Sequence, residues 1–152
     1  MELKVEDIMA ENVATVKDRG TVREAAELMD KLNIGCLIVL KGNKPVGIVT
    51  ERDMLKRVVL EVVDPVFTKV HEIMSKPLVS GKPGMTIEEA SNLMREKKVK
   101  RLPVLKNGRV VGLITAADFV RSPQVIKMMI QKIKKQIYSD VLATLEAKLE
   151  IE

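Results

Sequence analysis

Aromatic residues are nearly missing from this chain of 152 residues: it has no tryptophan, one tyrosine and two phenylalanines. A surface that stacks nucleic-acid bases is hard to build from so few π-faces. The core must therefore be aliphatic, with the nine methionines filling its gaps. Cysteine is also scarce. Cys36 stands alone, which excludes an intrachain disulfide and fits a reducing compartment. His71 is the single histidine, so Cys–His metal spacing is absent and no structural zinc site is implied. No apolar run approaches the ~20 residues of a membrane span. The start of the chain, charged from Glu2 onward, lacks the apolar stretch of a signal peptide. Together these absences predict a cytoplasmic protein.

The apolar fraction of 46% is enough for a core. Net charge is +5, from 26 basic and 21 acidic residues, with both signs interspersed as on a solvated surface. The charged fraction of 31%, mostly Lys and Glu, hints at a thermophilic source.

The chain repeats itself. Val5-Glu6-Asp7-Ile8-Met9 returns as Val70-His71-Glu72-Ile73-Met74. Thr21-Val22-Arg23-Glu24-Ala25 returns as Thr86-Ile87-Glu88-Glu89-Ala90, and the Gly47–Asp53 segment returns as Gly112–Asp118. Each pair is 65 positions apart (5 to 70, 21 to 86, 47 to 112), so the copies align without a gap. Units this small pack face to face about a pseudo-two-fold axis, and function is to be sought between them.

Each copy reads β-α-β-β-α after a short opening turn. An extended segment follows the turn, at 12–16 and again at 78–80. Thr21 with Glu24 and Thr86 with Glu89 fit a capping box that starts a helix. Apolar strands follow at 36–40 and 102–105, closed by the hairpin turns Gly42-Asn43 and Asn107-Gly108. The return strands, 45–49 and 110–114, run into second capping signals at Thr50 and Thr115. Asp64-Pro65 is expected to end the helix that begins near Glu51. The organisation is copy one over 1–60, copy two over 61–122, a linker near 58–69, and a helical extension over 123–152. Ser122-Pro123 ends the second copy or opens the extension. There, apolar residues recur every three or four positions from Ile126 to Leu149 without Gly or Pro, predicting one or two amphipathic helices.

The motifs V-x-[DE]-I-M, T-[VI]-x-E-A and G-h-h-T-x-x-D (h apolar), in that order and twice, resemble a tandem pair of CBS domains, named after cystathionine β-synthase. The resemblance covers about 4–121. It implies an α+β fold in which two repeats form one module with two clefts. It further implies a non-enzymatic regulatory or sensor role: an adenosine-containing ligand (AMP, ADP, ATP or S-adenosylmethionine) bound in the clefts, no required cofactor, a homodimer, and a regulated enzyme or transporter as partner.

Asp53 and Asp118 are the leading site candidates. A carboxylate can accept both hydroxyls of a ribose, while Thr-x-x-Asp also caps a helix. The two roles are compatible, since a capped helix start offers free N–H groups to a phosphate. In the family, the cleft holding one copy's aspartate takes its other contacts from the second copy. Site one would then combine Asp53, Thr50 and Arg52 with Leu78, Val79, Ser80, Val99, Lys100 and Arg101. Site two would combine Asp118 and Thr115 with Ala14, Thr15, Ile34 and Gly35. Lys100-Arg101 would clamp phosphates in site one, whereas the matching Gly35-Cys36 carries no charge. Lys17 is a further candidate for the phosphates.

Enzyme readings fare badly. His71 sits in an opening turn, Cys36 begins an apolar strand, and the segment from Gly42 to Gly47 lacks the Lys-Ser/Thr of a P-loop. Two alternatives remain: a structural dimerisation or docking module with empty clefts, and a nucleic-acid or membrane-surface binder using Lys127, Lys132, Lys134 and Lys135. The apolar stripe of the extension is expected to cover the module or a sister subunit.

Overall fold

The computed structural model describes residues 2–151. They form two compact units, residues 2–115 and residues 116–151.

In the first unit, β1 (Thr15–Lys17) runs parallel to β2 (Cys36–Lys41), which pairs antiparallel with β3 (Lys44–Thr50). Helix α1 (Val22–Leu32) connects β1 to β2. Its cap is the reciprocal box that the sequence predicts: the Thr21 hydroxyl accepts from Glu24 N at 3.1 Å, and Thr21 N donates to Glu24 Oε2 at 3.3 Å. The second copy repeats the plan with α4 (Ile87–Lys97), β4 (Arg101–Lys106) and β5 (Arg109–Thr115). Both hairpins close with two residues, and left-handed Gly42, Asn107 and Gly108 make those turns possible. Both carry a register shift at the same place, Val39/Leu40 and Val104/Leu105.

The opening turns are exchanged between the copies. The first, a 3₁₀ turn (Val5–Asp7), sits at the start of the second copy's helix: Val5 N donates to Met85 O at 2.8 Å, and Ile87 N donates to Leu3 O at 3.2 Å. The second, α3 (Val70–Ile73), sits at the start of α1: Val70 N donates to Gly20 O at 2.8 Å, and Val22 N donates to Thr68 O at 2.9 Å. Asp7 and Glu72 hold their turns alike, accepting from Lys4 N at 2.8 Å and Lys69 N at 2.6 Å. That local bond accounts for the repeated acid in the motif. The chain then adds one antiparallel bridge to the other copy's return strand, Ala10 to Leu113 and Ser75 to Ile48. It returns to its own copy only afterwards, through β1 or through the parallel bridge of Gly81 to Val104.

Packing follows this exchange. Val70 and Ile73, second-copy residues by sequence, are buried in one cluster with Val22, Ala25, Met29, Leu37, Val39 and Val49 of the first. A Cβ at Gly47 would lie 2.6 Å from the Met74 sulfur, and one at Gly112 would collide with the Met9 sulfur. The repeated methionine and the repeated glycine are thus two halves of one contact.

Two expectations are corrected. The extended segment at 78–80 forms no strand, and the ladder is made at Gly81 alone, flanked by Pro77 and Pro83, which lack a backbone donor. Asp64-Pro65 does not end the preceding helix. Helix α2 (Glu51–Met54) passes into a π turn (Leu55–Val59) and stops there, and Val62 adopts φ 52°. Asp64 instead opens a turn of its own, accepting from Val66 N at 2.9 Å.

In the second unit, α5 (Ala116–Arg121) is followed by α6 (Pro123–Ile151), a single helix of 29 residues. Ser122 caps it, its hydroxyl accepting from Val125 N at 3.3 Å, with Pro123 in the first helical position.

Candidate functional site

A cleft of about 420 Å³ opens at the start of α2, a volume suited to a small ligand. Its lining joins the copies: Ile48, Thr50, Arg52 and Asp53 from the first, and Ser75, Lys98, Val99, Lys100 and Arg101 from the second.

Asp53 is the buried polar centre, 6% exposed. Its position follows from the cap. Thr50 Oγ1 accepts from Asp53 N at 3.2 Å, while Thr50 N and Thr50 Oγ1 both donate to Asp53 Oδ2, at 2.9 and 3.1 Å. The other carboxylate oxygen accepts from Ser75 Oγ at 2.9 Å and lies 3.6 Å from Arg57 Nη1. Arg57 also donates to the carbonyls of Ile73 and Met74, both at 2.8 Å, satisfying the end of the exchanged turn. Asp53 therefore ties the helix start of one copy to the opening turn of the other. Its hydroxyl partners are rotatable donors on a carboxylate with about four lone-pair sites.

The basic wall comes from the turn after α4. Lys98 ends that helix in the left-handed conformation, φ 56°, as Asn33 ends α1 at φ 53°. This turn aims the chain into β4 and brings Lys98, Val99 and Lys100 to the cleft. Arg101 opens β4, and its guanidinium reaches across to the start of β2. A Cβ at Gly35 would lie 3.0 Å from Arg101 Nη2 and 3.4 Å from the Glu51 carboxyl carbon. Glycine at position 35 thus makes room for the arginine beside an acid. Cys36 feels the same pair: burial pushes its thiol up, Arg101 pulls it down and Glu51 raises it. A thiol so placed is unreactive at neutral pH.

Of the residues predicted for site one, Thr50, Arg52, Asp53, Val99, Lys100 and Arg101 meet in this cleft. Leu78 and Val79 do not line it, and Ser80 lines a separate cavity of about 460 Å³ with Lys82, Lys106 and Asn107. The exchange explains the difference, since the chain faces the first copy at Ser75 and has returned to its own by Gly81. Ser75, Ile48 and Lys98 were not foreseen. Ser75 directly follows the repeated Ile-Met, and Lys98 matches the left-handed Asn33, so both lay within the reach of the repeat. Among the residues predicted for site two, Ala14 precedes β1 and Thr15 opens it. Thr15 lines a cavity of about 230 Å³ with Leu40, Asn43, Arg109 and Val110. Ile34 and Gly35 connect α1 to β2, Thr115 ends β5, and Asp118 is the third residue of α5.

The two copies that build this cleft match a known family. The CBS domain family covers residues 5–60 and 70–125. The chain belongs to that family, as a tandem pair. The CBS domain-containing protein YhcV of Bacillus subtilis is 39% identical over 114 residues, spanning 75% of this chain and 81% of that one. A hexameric CBS-CP12 protein from bloom-forming cyanobacteria superposes with a TM-score of 0.77 at 30% identity, over 97% of this chain and 85% of that one. The CBS domain pair of protein MJ0100, solved in complex with 5-methylthioadenosine and S-adenosyl-L-methionine, has a TM-score of 0.71 at 25% identity, over 80% of this chain and 95% of that one. CBS-pair proteins are regulatory modules. Among the described residues of this CBS pair, no helix is long and apolar enough to cross a membrane.

Proposed function

We propose that this CBS pair is a non-enzymatic sensor that binds an adenosine-containing ligand in the Asp53 cleft and regulates a partner enzyme or transporter. One observation carries the reading: a buried carboxylate and a basic wall, contributed by different copies, face one cavity of about 420 Å³. Asp53 suits a ribose, whose two hydroxyls would take over the donations now made by Ser75 and Thr50. Lys98, Lys100 and Arg52 suit a phosphate chain. The adenosine compounds held by the MJ0100 pair support this class of ligand. Because the ligand would touch both copies, it would favour whichever arrangement of the two binds it better, and that differential affinity is what a regulator requires.

The test is thermal unfolding of the purified protein with AMP, ATP and S-adenosylmethionine, followed by calorimetry. A ligand at 100 times its Kd stabilises by about 2.7 kcal/mol. Asp53→Asn keeps the shape of the cap and should weaken binding about tenfold or more. No shift with any of the three compounds would leave a docking module with an empty cleft.

A further inference from the structure

We infer that α6 is a self-association surface, on which a second copy of this chain packs its own α6 in antiparallel orientation. The helix carries a long exposed apolar stripe: Ile126, Ile130, Ile133, Ile137, Val141 and Leu145 are all 42–57% exposed. Met129, Leu142 and Leu149 extend it, Leu149 being 71% exposed. At 1.5 Å per residue the stripe runs for roughly 35 Å. An amphipathic helix is stabilised by burying such a face, and a continuous apolar surface of this length marks an interaction site.

Charge identifies the occupant. From Pro123 to Ser139 the helix carries Lys127, Lys132, Lys134 and Lys135 and no acid. From Asp140 to Glu150 it carries Asp140, Glu146 and Glu150 against Lys148 alone. A helix basic in its first half and acidic in its second complements its own reverse. Centring the pair on Ile137 and Tyr138 sets Lys135 opposite Asp140, and Lys127 opposite Lys148 with Glu146 and Glu150 on either side of it. The same register superimposes the two stripes from end to end. A parallel pair would instead set lysine against lysine and acid against acid. The antiparallel arrangement is two-fold symmetric and closed, so it stops at two helices. Apolar steps of about 3.8 residues exceed the 3.6 of a helical turn, so the stripe drifts in the sense of a right-handed wrap.

Sedimentation equilibrium of the full-length protein tests the surface. Wild type should associate, and Ile133→Glu/Ile137→Glu should weaken that association at least a hundredfold without loss of helical circular dichroism. An unchanged association state, or a wild type that stays monomeric at 100 µM, would overturn the proposal. The latter result would assign the stripe to a different partner or to a membrane. Orientation is read by disulfide trapping in a Cys36→Ser background. Chains carrying Ile126→Cys mixed with chains carrying Leu149→Cys should give crosslinked dimers only in the mixture. Crosslinking of each chain with itself would refute the antiparallel arrangement. Lys127→Glu should loosen the dimer about tenfold, and adding Glu146→Lys and Glu150→Lys should restore it.

Discussion

The starts of β2 and β4 make an instructive pair. Each follows a left-handed helix end, Asn33 or Lys98, and each strand pairs with its return strand in the same register, Cys36 with Thr50 and Arg101 with Thr115. The backbones are equivalent, yet one start reads Gly35-Cys36 and the other Lys100-Arg101. The scaffold fixes the course of the chain and the apolar positions behind it. It leaves the first two side chains open, and there one copy has become cationic while the other has stayed small. The glycine is part of the same difference, because it gives the arginine of the other copy room beside Glu51.

The sharpest way to break the comparison is to make the two starts alike. Lys100→Gly/Arg101→Cys should lower ATP affinity by about tenfold or more, since the charge-assisted contact of Lys100 is lost. Affinity for uncharged adenosine should change by less than about threefold, and calorimetry with both ligands reads the difference. An equal loss for both would mean that the pair shapes the cleft without contacting phosphate. Next comes Arg57, whose counterpart in the second copy is Ser122. Arg57→Ala should cost about 1–3 kcal/mol in denaturant unfolding by stranding the Ile73 and Met74 carbonyls. Amide exchange should rise at Ser75 and Ile48 and stay unchanged at Ala10 and Leu113. Gly47→Ala and Gly112→Ala probe what the copies share. Each should cost about 1–3 kcal/mol by crowding a methionine, and each should be partly rescued by Met74→Ala or Met9→Ala respectively.

The smallest effect concerns Cys36. Its thiol is pushed up by burial, so the folded state holds the proton longer than the unfolded chain does. That contribution to stability is complete below the ordinary thiol pKa of about 8.5 and fades as pH rises past it. Wild type should therefore lose stability as pH rises above about 8.5, and Cys36→Ala should flatten that slope.

Local order was legible in the sequence wherever chemistry is local. The Thr21 and Thr50 caps and the two-residue hairpins were all evident from residue types a few positions apart. The family resemblance, carried by motif order and constant offset, gave the fold as a whole. The partner of each opening turn was hidden. A repeat tells which segments are equivalent, but equivalence is the same whether Val70 packs on its own copy or on the other. The cleft suffered accordingly: Asp53, Lys100 and Arg101 followed from motif positions, while Ser75 was passed over for Leu78, Val79 and Ser80. The π turn at Leu55–Val59 has no residue signature comparable to proline, and the end of the helix was placed too late for that reason.

The exchanged opening turns have a consequence for how this molecule can be divided. Cutting the peptide chain near Glu61 should leave two fragments that remain clasped, because each still holds a piece the other needs. Either fragment produced alone would lack the strip that seals its sheet. A lone ancestral repeat would have met the same deficit, and a twin chain lending its own first turn would have supplied what duplication later placed on one polypeptide.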